Sequence, residues 1–172
     1  MKKILLLSDT HGHIDDKIFY YVQQSDEVWH AGDVGKTEVL DEIEALKPLK
    51  AVFGNIDGHR VRQRTSEVLV FMSEGVKVII THIGGYPGNY NKNAKKLITE
   101  HKPKLFICGH SHILKIMHDN KKGHLHMNPG AAGKHGFHKF RTLLRFELNN
   151  GKIKNLEAIE IDQRSNLSNA VN

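Results

Sequence analysis

The sequence contains one cysteine and no long hydrophobic run. Because Cys108 has no second cysteine to pair with, an intrachain disulfide is excluded and a reducing compartment is expected. No segment approaches the roughly 18 consecutive apolar residues of a membrane helix. The apolar run near the N-terminus stops at Ser8, after four residues, whereas the apolar core of a signal sequence needs about 7–15. We therefore expect a cytoplasmic protein without a membrane partner.

The composition lacks the extremes that mark disordered or fibrous chains. With 172 residues, 39% of them hydrophobic, the chain is long enough to bury one core without covalent cross-links. It contains no linker, internal repeat or low-complexity block. We predict one domain over residues 1–162 and a disordered tail, rich in Ser and Asn, over residues 163–172.

Positive charge is in modest excess, with 25 Lys and Arg against 19 Asp and Glu. These residues are scattered apart from one stretch, so an ordinary solvated surface is favoured over a nucleic-acid platform. Within that stretch, surface charge is also favoured over a role in binding a substrate anion. The basic residues of the stretch are Lys134, Lys139, Arg141 and Arg145, and the residues weighed for a substrate anion are Lys134, His135, His138 and Arg141.

The first third of the chain alternates strand and helix. Lys3–Leu7, Glu27–Ala31 and Ala51–Phe53 are predicted strands, and apolar residues recur at helical spacing between them. Thr37 is the predicted N-cap of the second helix. This alternation predicts parallel strands with right-handed crossovers.

Further along, short strands outnumber helices, and one helix is predicted over Asn91–His101. The pattern predicts an α/β fold in which two packed sheets are flanked by helices. His124 and His126 are predicted on the solvated face of their strand. The remaining predicted strands are Glu67–Met72, Lys77–Thr81, Leu105–Cys108, Leu114–His118, Leu125–Asn128, Thr142–Glu147 and Ile153–Ile161.

Side chains that can bind metals follow five of the predicted strands. In open α/β sheets, ligands bind at the carboxyl ends of strands. Residues i and i+2 of an extended chain point the same way, so Asp9 and His11 are expected to face one site, as are His110 and His112. The five motifs are Ser8-Asp9-Thr10-His11-Gly12, Gly32-Asp33-Val34, Gly54-Asn55-Ile56-Asp57, Thr81-His82 and Gly109-His110-Ser111-His112.

The ligand types indicate a hard or borderline metal. Carboxylate, imidazole and amide oxygen suit Mn²⁺, which is favoured here, with Ni²⁺, Zn²⁺, Fe or Mg²⁺ as alternatives. No set of thiolates indicates a structural zinc site. Seven ligands are too many for one tetrahedral ion, and they suit two ions that share a carboxylate.

The five motifs, in this order, resemble those of the calcineurin-like metallophosphoesterases, most closely their small prokaryotic phosphodiesterase branch. The resemblance runs from Lys2 to about Ile161 and implies a four-layer α/β/β/α sandwich of two mixed sheets. It also implies that a metal-bridging hydroxide attacks a phosphate ester in line. The implied ligands are Asp9, His11, Asp33 and His112 for one metal, and Asp33, Asn55, His82 and His110 for the other.

One position departs from the pattern of many relatives, which carry a histidine where this chain has Ile56. The usual group for protonating the leaving group is therefore missing, and phosphodiesters are expected to react better than phosphomonoesters. Asp57 is expected to orient ligands or water, with a direct role as the acid as the less favoured alternative. The resemblance thus implies Asp33, Asn55, Asp57 and His82 as catalytic residues.

Two other functions compete with hydrolysis of a small phosphodiester. One is a non-catalytic scaffold, because the retromer complex includes a subunit of this fold that departs from the full ligand set. The other is a nuclease, although the sequence shows neither a long basic groove nor an aromatic platform. By resemblance, a homodimer or homotetramer is expected.

Overall fold

Fourteen helices and strands make up the part of the chain that the computed structural model describes, residues 1–163. The predicted tail lies outside the described residues, except that Gln163 is the last residue of a strand. The elements in chain order are β1 (Lys2–Leu7), α1 (Asp16–Gln23), β2 (Glu27–His30), α2 (Thr37–Glu44), β3 (Leu49–Ala51), α3 (His59–Arg64), β4 (Val68–Ser73), β5 (Val76–Thr81), α4 (Lys92–His101), β6 (Leu105–Ile107), β7 (Leu114–Asp119), β8 (His124–Pro129), β9 (Phe140–Asn149) and β10 (Lys152–Gln163).

Parallel pairing forms the centre of the first sheet. Leu5 of β1 lies opposite Val28 of β2, and Trp29 of β2 lies opposite Lys50 of β3. On the other side of β1, β9 pairs antiparallel, and β10 pairs antiparallel with β9. The resulting order is β10-β9-β1-β2-β3. The parallel strands predicted from the alternation of strand and helix are confirmed.

The second sheet repeats this plan with other strands. β5, β6 and β8 are parallel to one another, with Ile79 opposite Phe106 and Phe106 opposite His126. β4 and β7 close the two edges by antiparallel pairing with β5 and β8. The order is β4-β5-β6-β8-β7. Each sheet therefore has three parallel strands whose carboxyl ends lie at one edge.

The two sheets pack face to face across an apolar core, and helices cover their outer faces. Because side chains alternate along a strand, Leu6 faces the central core while Leu5 packs on the helices. α1 and α2 cover the first sheet, and α4 packs through Ala94 and Ile98 on the second. These layers are the α/β/β/α sandwich that the resemblance implied. No helix within residues 1–163 is long and apolar enough to cross a membrane.

Two local predictions are wrong, and one helix was not predicted. β3 covers Leu49–Ala51 instead of Ala51–Phe53, and Val52, whose amide still donates to the His30 carbonyl, forms an isolated bridge with Ser66. The N-cap of α2 is Lys36, while Thr37 is the first helical residue and donates from its hydroxyl to the Glu38 carboxylate. α3 was not predicted, because a six-residue helix with one buried apolar side chain leaves no periodic pattern.

A partly buried ion pair joins the loop after β1 to β9. The Arg141 side chain is 0% exposed, which contradicts its prediction as surface charge. Its Nη1 donates to Asp15 Oδ2 over 2.8 Å, and its Nε donates to the Ala132 carbonyl over 2.7 Å. Asp15 is also the N-cap of α1, since its Oδ1 accepts the Ile18 amide. Partial burial opposes ionisation of Asp15, but Arg141 outweighs it and holds the pKa of Asp15 at about 2.

Asp15→Asn is expected to lower the free energy of unfolding at pH 7 by about 2 kcal/mol. Asparagine keeps the helix cap, but it leaves the buried Arg141 guanidinium without a counter-charge. Because folding lowers the pKa of Asp15, its contribution is present above about pH 4 and is lost as the pH falls towards 2. Urea denaturation of both proteins at several pH values measures the difference.

Asp16→Asn is the matched control, since Asp16 is exposed in the same turn of α1. This control is expected to change the free energy of unfolding by less than about 0.5 kcal/mol. Equal losses in the two variants, or a loss for Asp15→Asn that does not shrink in acid, would contradict the role assigned to the ion pair.

Candidate metal centre

The loops that follow the parallel strands of both sheets meet at one place. The Asp9 amide donates to the Gly32 carbonyl over 2.9 Å, which ties the loop after β1 to the loop after β2. The Gly109 amide donates to the His82 carbonyl over 2.9 Å, which ties the corresponding loops of the second sheet. Between the sheets, the His110 amide donates to Asp9 Oδ2 over 3.1 Å. Residues 101 positions apart are thereby brought into contact.

Left-handed backbone marks the predicted ligand positions. Nine non-glycine residues among the described ones have a positive φ, and five of them are predicted metal ligands. Such a conformation is costly for a residue with a Cβ, and it persists where the surrounding structure enforces it. The explanation by extended chain is therefore wrong for these loops, even though the residues do converge. The five are Asp9, His11, Asp33, His110 and His112, with φ between 48° and 69°.

One group of ligand atoms forms around Asp9. Its Oδ1 lies 3.2 Å from His112 Nε2 and 4.0 Å from His11 Nε2. The two Nε2 atoms of His11 and His112 lie 3.3 Å apart. Asp9 is fully buried and both histidines are largely covered, so the three side chains form a compact triad that could hold a metal ion.

A second group forms around Asp33. His82 Nε2 lies 3.2 Å from Asp33 Oδ1, and His110 completes this group. The other Asp33 oxygen, Oδ2, faces the first group at 3.7 Å from His11 Nε2. Asp33 therefore lies between the two groups. His110 and His112 face the same site but belong to different groups.

The hydrogen bonding of His82 shows that this site suits a cation. His82 Nδ1 donates to the Ala31 carbonyl over 2.7 Å, so Nε2 carries the lone pair of a neutral ring. That nitrogen and Asp9 Oδ1 are both buried and have no hydrogen-bond partner among the described residues. His82 Nε2 lies 3.2 Å from Asp33 Oδ1 and 3.9 Å from Asp9 Oδ1. Buried acceptor atoms that point to one place and lack hydrogen-bond donors are typical of a metal-binding site.

Burial and the nearby carboxylates act in opposite directions on the histidines of the site, with a different outcome for His11 and for His82. Burial lowers the pKa of His11, more than the nearby carboxylates raise it, and thus favours the neutral ring that binds metals. Burial also opposes charge on His82, but Asp33 and Asp9 outweigh it, so the pKa of His82 is raised. The two carboxylates thus draw positive charge to the point where the ligand atoms converge.

A second histidine orients His112. His112 Nδ1 lies 3.3 Å from His138 Nδ1, and His138 Nε2 lies 2.9 Å from the Gly133 carbonyl. Because the carbonyl accepts, His138 Nε2 carries the hydrogen, and its Nδ1 accepts from His112. His112 Nε2 is then left with the lone pair that faces Asp9. Sequence analysis placed His138 on the surface, since nothing local indicates a contact across 26 residues.

The loop with Asn55 and Asp57 supports Asp33. Asp57 is buried, and its two oxygens accept the amides of Val34, Gly35 and Gly54 over 2.7–3.1 Å. This arrangement favours Asp57 as the residue that holds the loop after β2, rather than as an acid facing substrate. Its neighbour Ile56 donates its amide to Asp33 Oδ1 over 3.1 Å. The Asn55 side chain is exposed at the same turn.

Comparison with known proteins points in the same direction. The sequence model of the calcineurin-like phosphoesterase superfamily domain matches residues 1–151. A probable metallophosphoesterase from Methanothermobacter thermautotrophicus is 30% identical over 112 residues, covering 62% of this chain and 64% of that protein.

Solved structures reproduce the fold over nearly the whole chain. The structure described as a novel archaeal phosphodiesterase has a TM-score of 0.68 at 21% identity, covering 92% of this chain and 99% of that one. Wild-type Vps29 from Entamoeba histolytica in complex with zinc has a TM-score of 0.67 at 18% identity, covering 93% and 99%. At these identities the likeness shows the fold alone.

His138→Ala is expected to weaken Mn²⁺ binding at least about tenfold, because His112 loses the acceptor that fixes its ring and tautomer. Isothermal titration calorimetry with metal-stripped protein measures the dissociation constant. His118→Ala is the matched control, since His118 is exposed on β7 and bonded to Asn120. Equal dissociation constants for the two variants would show that His138 does not orient a ligand.

Proposed function

We propose that this chain, which belongs to the calcineurin-like phosphoesterase superfamily, is a metal-dependent phosphodiesterase that works with two divalent ions, Mn²⁺ being favoured. Its family and its archaeal relative are phosphoesterases, which supports hydrolysis of a phosphate ester. The preference for diesters, the pair of ions and the choice of Mn²⁺ are the proposed parts.

One observation carries the proposal: the Asp33 carboxylate lies between two triads of potential ligands. Its Oδ1 is 3.2 Å from His82 Nε2 and its Oδ2 is 3.7 Å from His11 Nε2. A single ion of four ligands would leave one triad without a cation. Two ions that share Asp33 would use both triads, and Asn55, exposed on the adjacent turn, is proposed as a further ligand.

The chain's own residues have three tasks in such a reaction. His82 keeps its lone pair available because the Ala31 carbonyl holds its other nitrogen as a donor. Asp57 accepts the Val34 amide, which directly follows Asp33, and the Gly54 amide of its own loop, and so holds the two loops together beside the Asp33 carboxylate. His110, exposed beside the second triad, lies where substrate arrives. When bound, two divalent ions would lower the pKa of water and neutralise charge on the phosphate.

The diester preference follows from the side chain beside Asp33. Ile56 is 46% exposed, and its amide donates to Asp33. An alkyl side chain cannot protonate a leaving group, so esters with good leaving groups are expected to react fastest. A small diester such as an activated aryl phosphodiester fits this requirement.

The two competing functions find less support. The likeness to Vps29 shows the fold alone, and the Vps29 structure compared here is itself a complex with zinc. For a nuclease, the basic stretch near β9 would have to form a surface. Arg141 is buried in its ion pair with Asp15, and Arg145 pairs with Glu157. These contacts favour a small substrate over a nucleic acid.

Asp33→Asn is expected to reduce hydrolysis of bis(p-nitrophenyl) phosphate at least about 100-fold, because the shared carboxylate loses its charge. Asparagine retains an oxygen for the Ile56 amide, so the circular dichroism spectrum should be unchanged. Asp41→Asn, an exposed aspartate of α2 bonded to Arg64, serves as the control and should keep full activity. Turnover by Asp33→Asn within threefold of wild type would contradict the proposed function.

Ile56→His is expected to raise the activity on p-nitrophenyl phosphate, relative to the diester, at least about tenfold, because an imidazole can protonate the leaving oxygen. The ratio of kcat/KM for the two substrates is the measurement. Ile56→Phe, of comparable size but without a proton to donate, should leave this ratio unchanged. If Ile56→His leaves it unchanged as well, the missing acid does not determine the preference.

A further inference from the structure

A cavity of about 440 Å³ adjoins the metal centre on the side of His110. The loop after β5, residues 83–91, forms one wall, and the loop after β6, residues 109–113, forms the other. His110 belongs to both the Asp33 triad and the cavity lining. A group held in the cavity would therefore be joined to a phosphate at the metal centre by a short covalent link.

Side-chain hydrogen bonds hold both walls in place. The Asn91 side chain donates from Nδ2 to the Ile83 carbonyl over 2.8 Å, which closes the first loop. Asn128 Nδ2 donates to the Gly109 carbonyl over 2.8 Å and lies 3.1 Å from Ser111 Oγ. The second pair of contacts fixes the turn that carries His110. The cavity is thus a preformed feature of the fold.

The walls present apolar and aromatic surface beside a strongly polar site. Ile83 is 44% exposed, Tyr86 43% and Ile113 61%, and all three line the cavity. Large side chains of this kind in a concave site typically contact the apolar part of a ligand. Inorganic phosphate or a small alkyl ester would leave this surface uncovered, whereas a flat aromatic group would cover it.

The polar groups of the cavity suit a ligand that is anionic at one end. Lys115 Nζ lies 4.2 Å from the centre of the Tyr86 ring, and no carboxylate lines the cavity among the described residues. His126 is buried, contrary to the prediction that it faces solvent, and its Nδ1 lies 3.1 Å from the Tyr90 hydroxyl. His124 is buried as well, against the same prediction. Because His126 is fully buried, Lys115 is the polar side chain that gives this part of the cavity its positive charge.

We propose that this cavity binds the organic group attached to one ester oxygen of the substrate, while the phosphate lies at the metal centre. This organic group is planar, aromatic and about the size of a nucleoside. The inference rests on the proposed phosphodiesterase function and extends it by naming the substrate class. The volume of about 440 Å³ lies within the range of small-molecule sites. Tyr86, Ile83 and Ile113 provide aromatic and apolar contact surface, and Lys115 adds positive charge beside it.

Two phosphates that differ in one group test the cavity by equilibrium binding. Thymidine 5′-phosphate and methyl phosphate carry the same anion, so their difference in affinity for the Mn²⁺-loaded protein reports the contact made by the organic group. Calorimetry is expected to show that the nucleotide binds at least about tenfold more tightly. Affinities within twofold of each other, or no binding of either, would overturn the inference.

Two cavity variants and two matched controls test which side chains cause the difference in affinity between the two phosphates. Tyr86→Ala and Ile113→Ala are expected to reduce the preference for thymidine 5′-phosphate at least about threefold each, while binding of methyl phosphate stays unchanged. Tyr20→Ala and Ile116→Ala remove comparable exposed side chains that do not line the cavity, and they should retain the preference. A preference kept in both cavity variants would place the aromatic group elsewhere and refute the assignment.

Hydrolysis of bis(p-nitrophenyl) phosphate by the same preparation separates the two proposals. If the Mn²⁺-loaded protein hydrolyses this diester but binds both phosphates equally, the cavity inference fails and the proposed function stands. If it prefers the nucleotide and loses that preference in the cavity variants, yet hydrolyses no diester, the cavity binds as stated and the proposed function fails.

Discussion

Ligand atoms of Asp9, Asp33 and His82 converge in a buried site, where His82 Nε2 lies 3.2 Å from Asp33 Oδ1 and 3.9 Å from Asp9 Oδ1. The two carboxylates repel each other unless positive charge lies between them. The surrounding hydrogen bonds nevertheless hold the ligand atoms in this arrangement. Three backbone amides hold Asp57, which holds the loop of Asp33. The Ala31 carbonyl holds His82 in the tautomer that leaves a lone pair at the centre. The left-handed backbone at five ligand positions is a further cost of bringing these side chains together.

The two-sheet architecture explains how residues far apart in the sequence meet with such accuracy. Each sheet ends its parallel strands at the same edge, and the shared apolar core fixes the distance between these edges. Short loops then need to carry each ligand only one to five residues beyond its strand. The same geometry leaves room at the edge of the second sheet, where the loops after β5 and β6 enclose the cavity next to His110. Metal centre and substrate cavity are thus two consequences of one arrangement of strands.

The features that depend on the local order of apolar and polar residues could be predicted from the sequence. The strand–helix alternation gave the parallel strands, and five motifs at strand ends gave the residues that converge. Features that depend on contacts between distant segments were missed. Arg141 was assigned to the surface because its partner Asp15 lies 126 residues away, and only the fold brings β9 beside α1. His126 and His138 were misplaced for the same reason, since a histidine on a strand or loop has no local mark of burial. The left-handed backbone of the ligands was equally invisible, because Asp and His also adopt other conformations freely.

The most direct test of the account is anomalous X-ray diffraction from crystals grown with Mn²⁺ and phosphate. Two Mn²⁺ ions should appear about 3.5–4 Å apart, with Asp33 contacting both. Asp9, His11 and His112 should surround one of them, and His82 and His110 the other. A single peak away from Asp33, or no peak at saturating Mn²⁺, would show that these lone pairs do not converge on metal ions and would contradict the account at its centre.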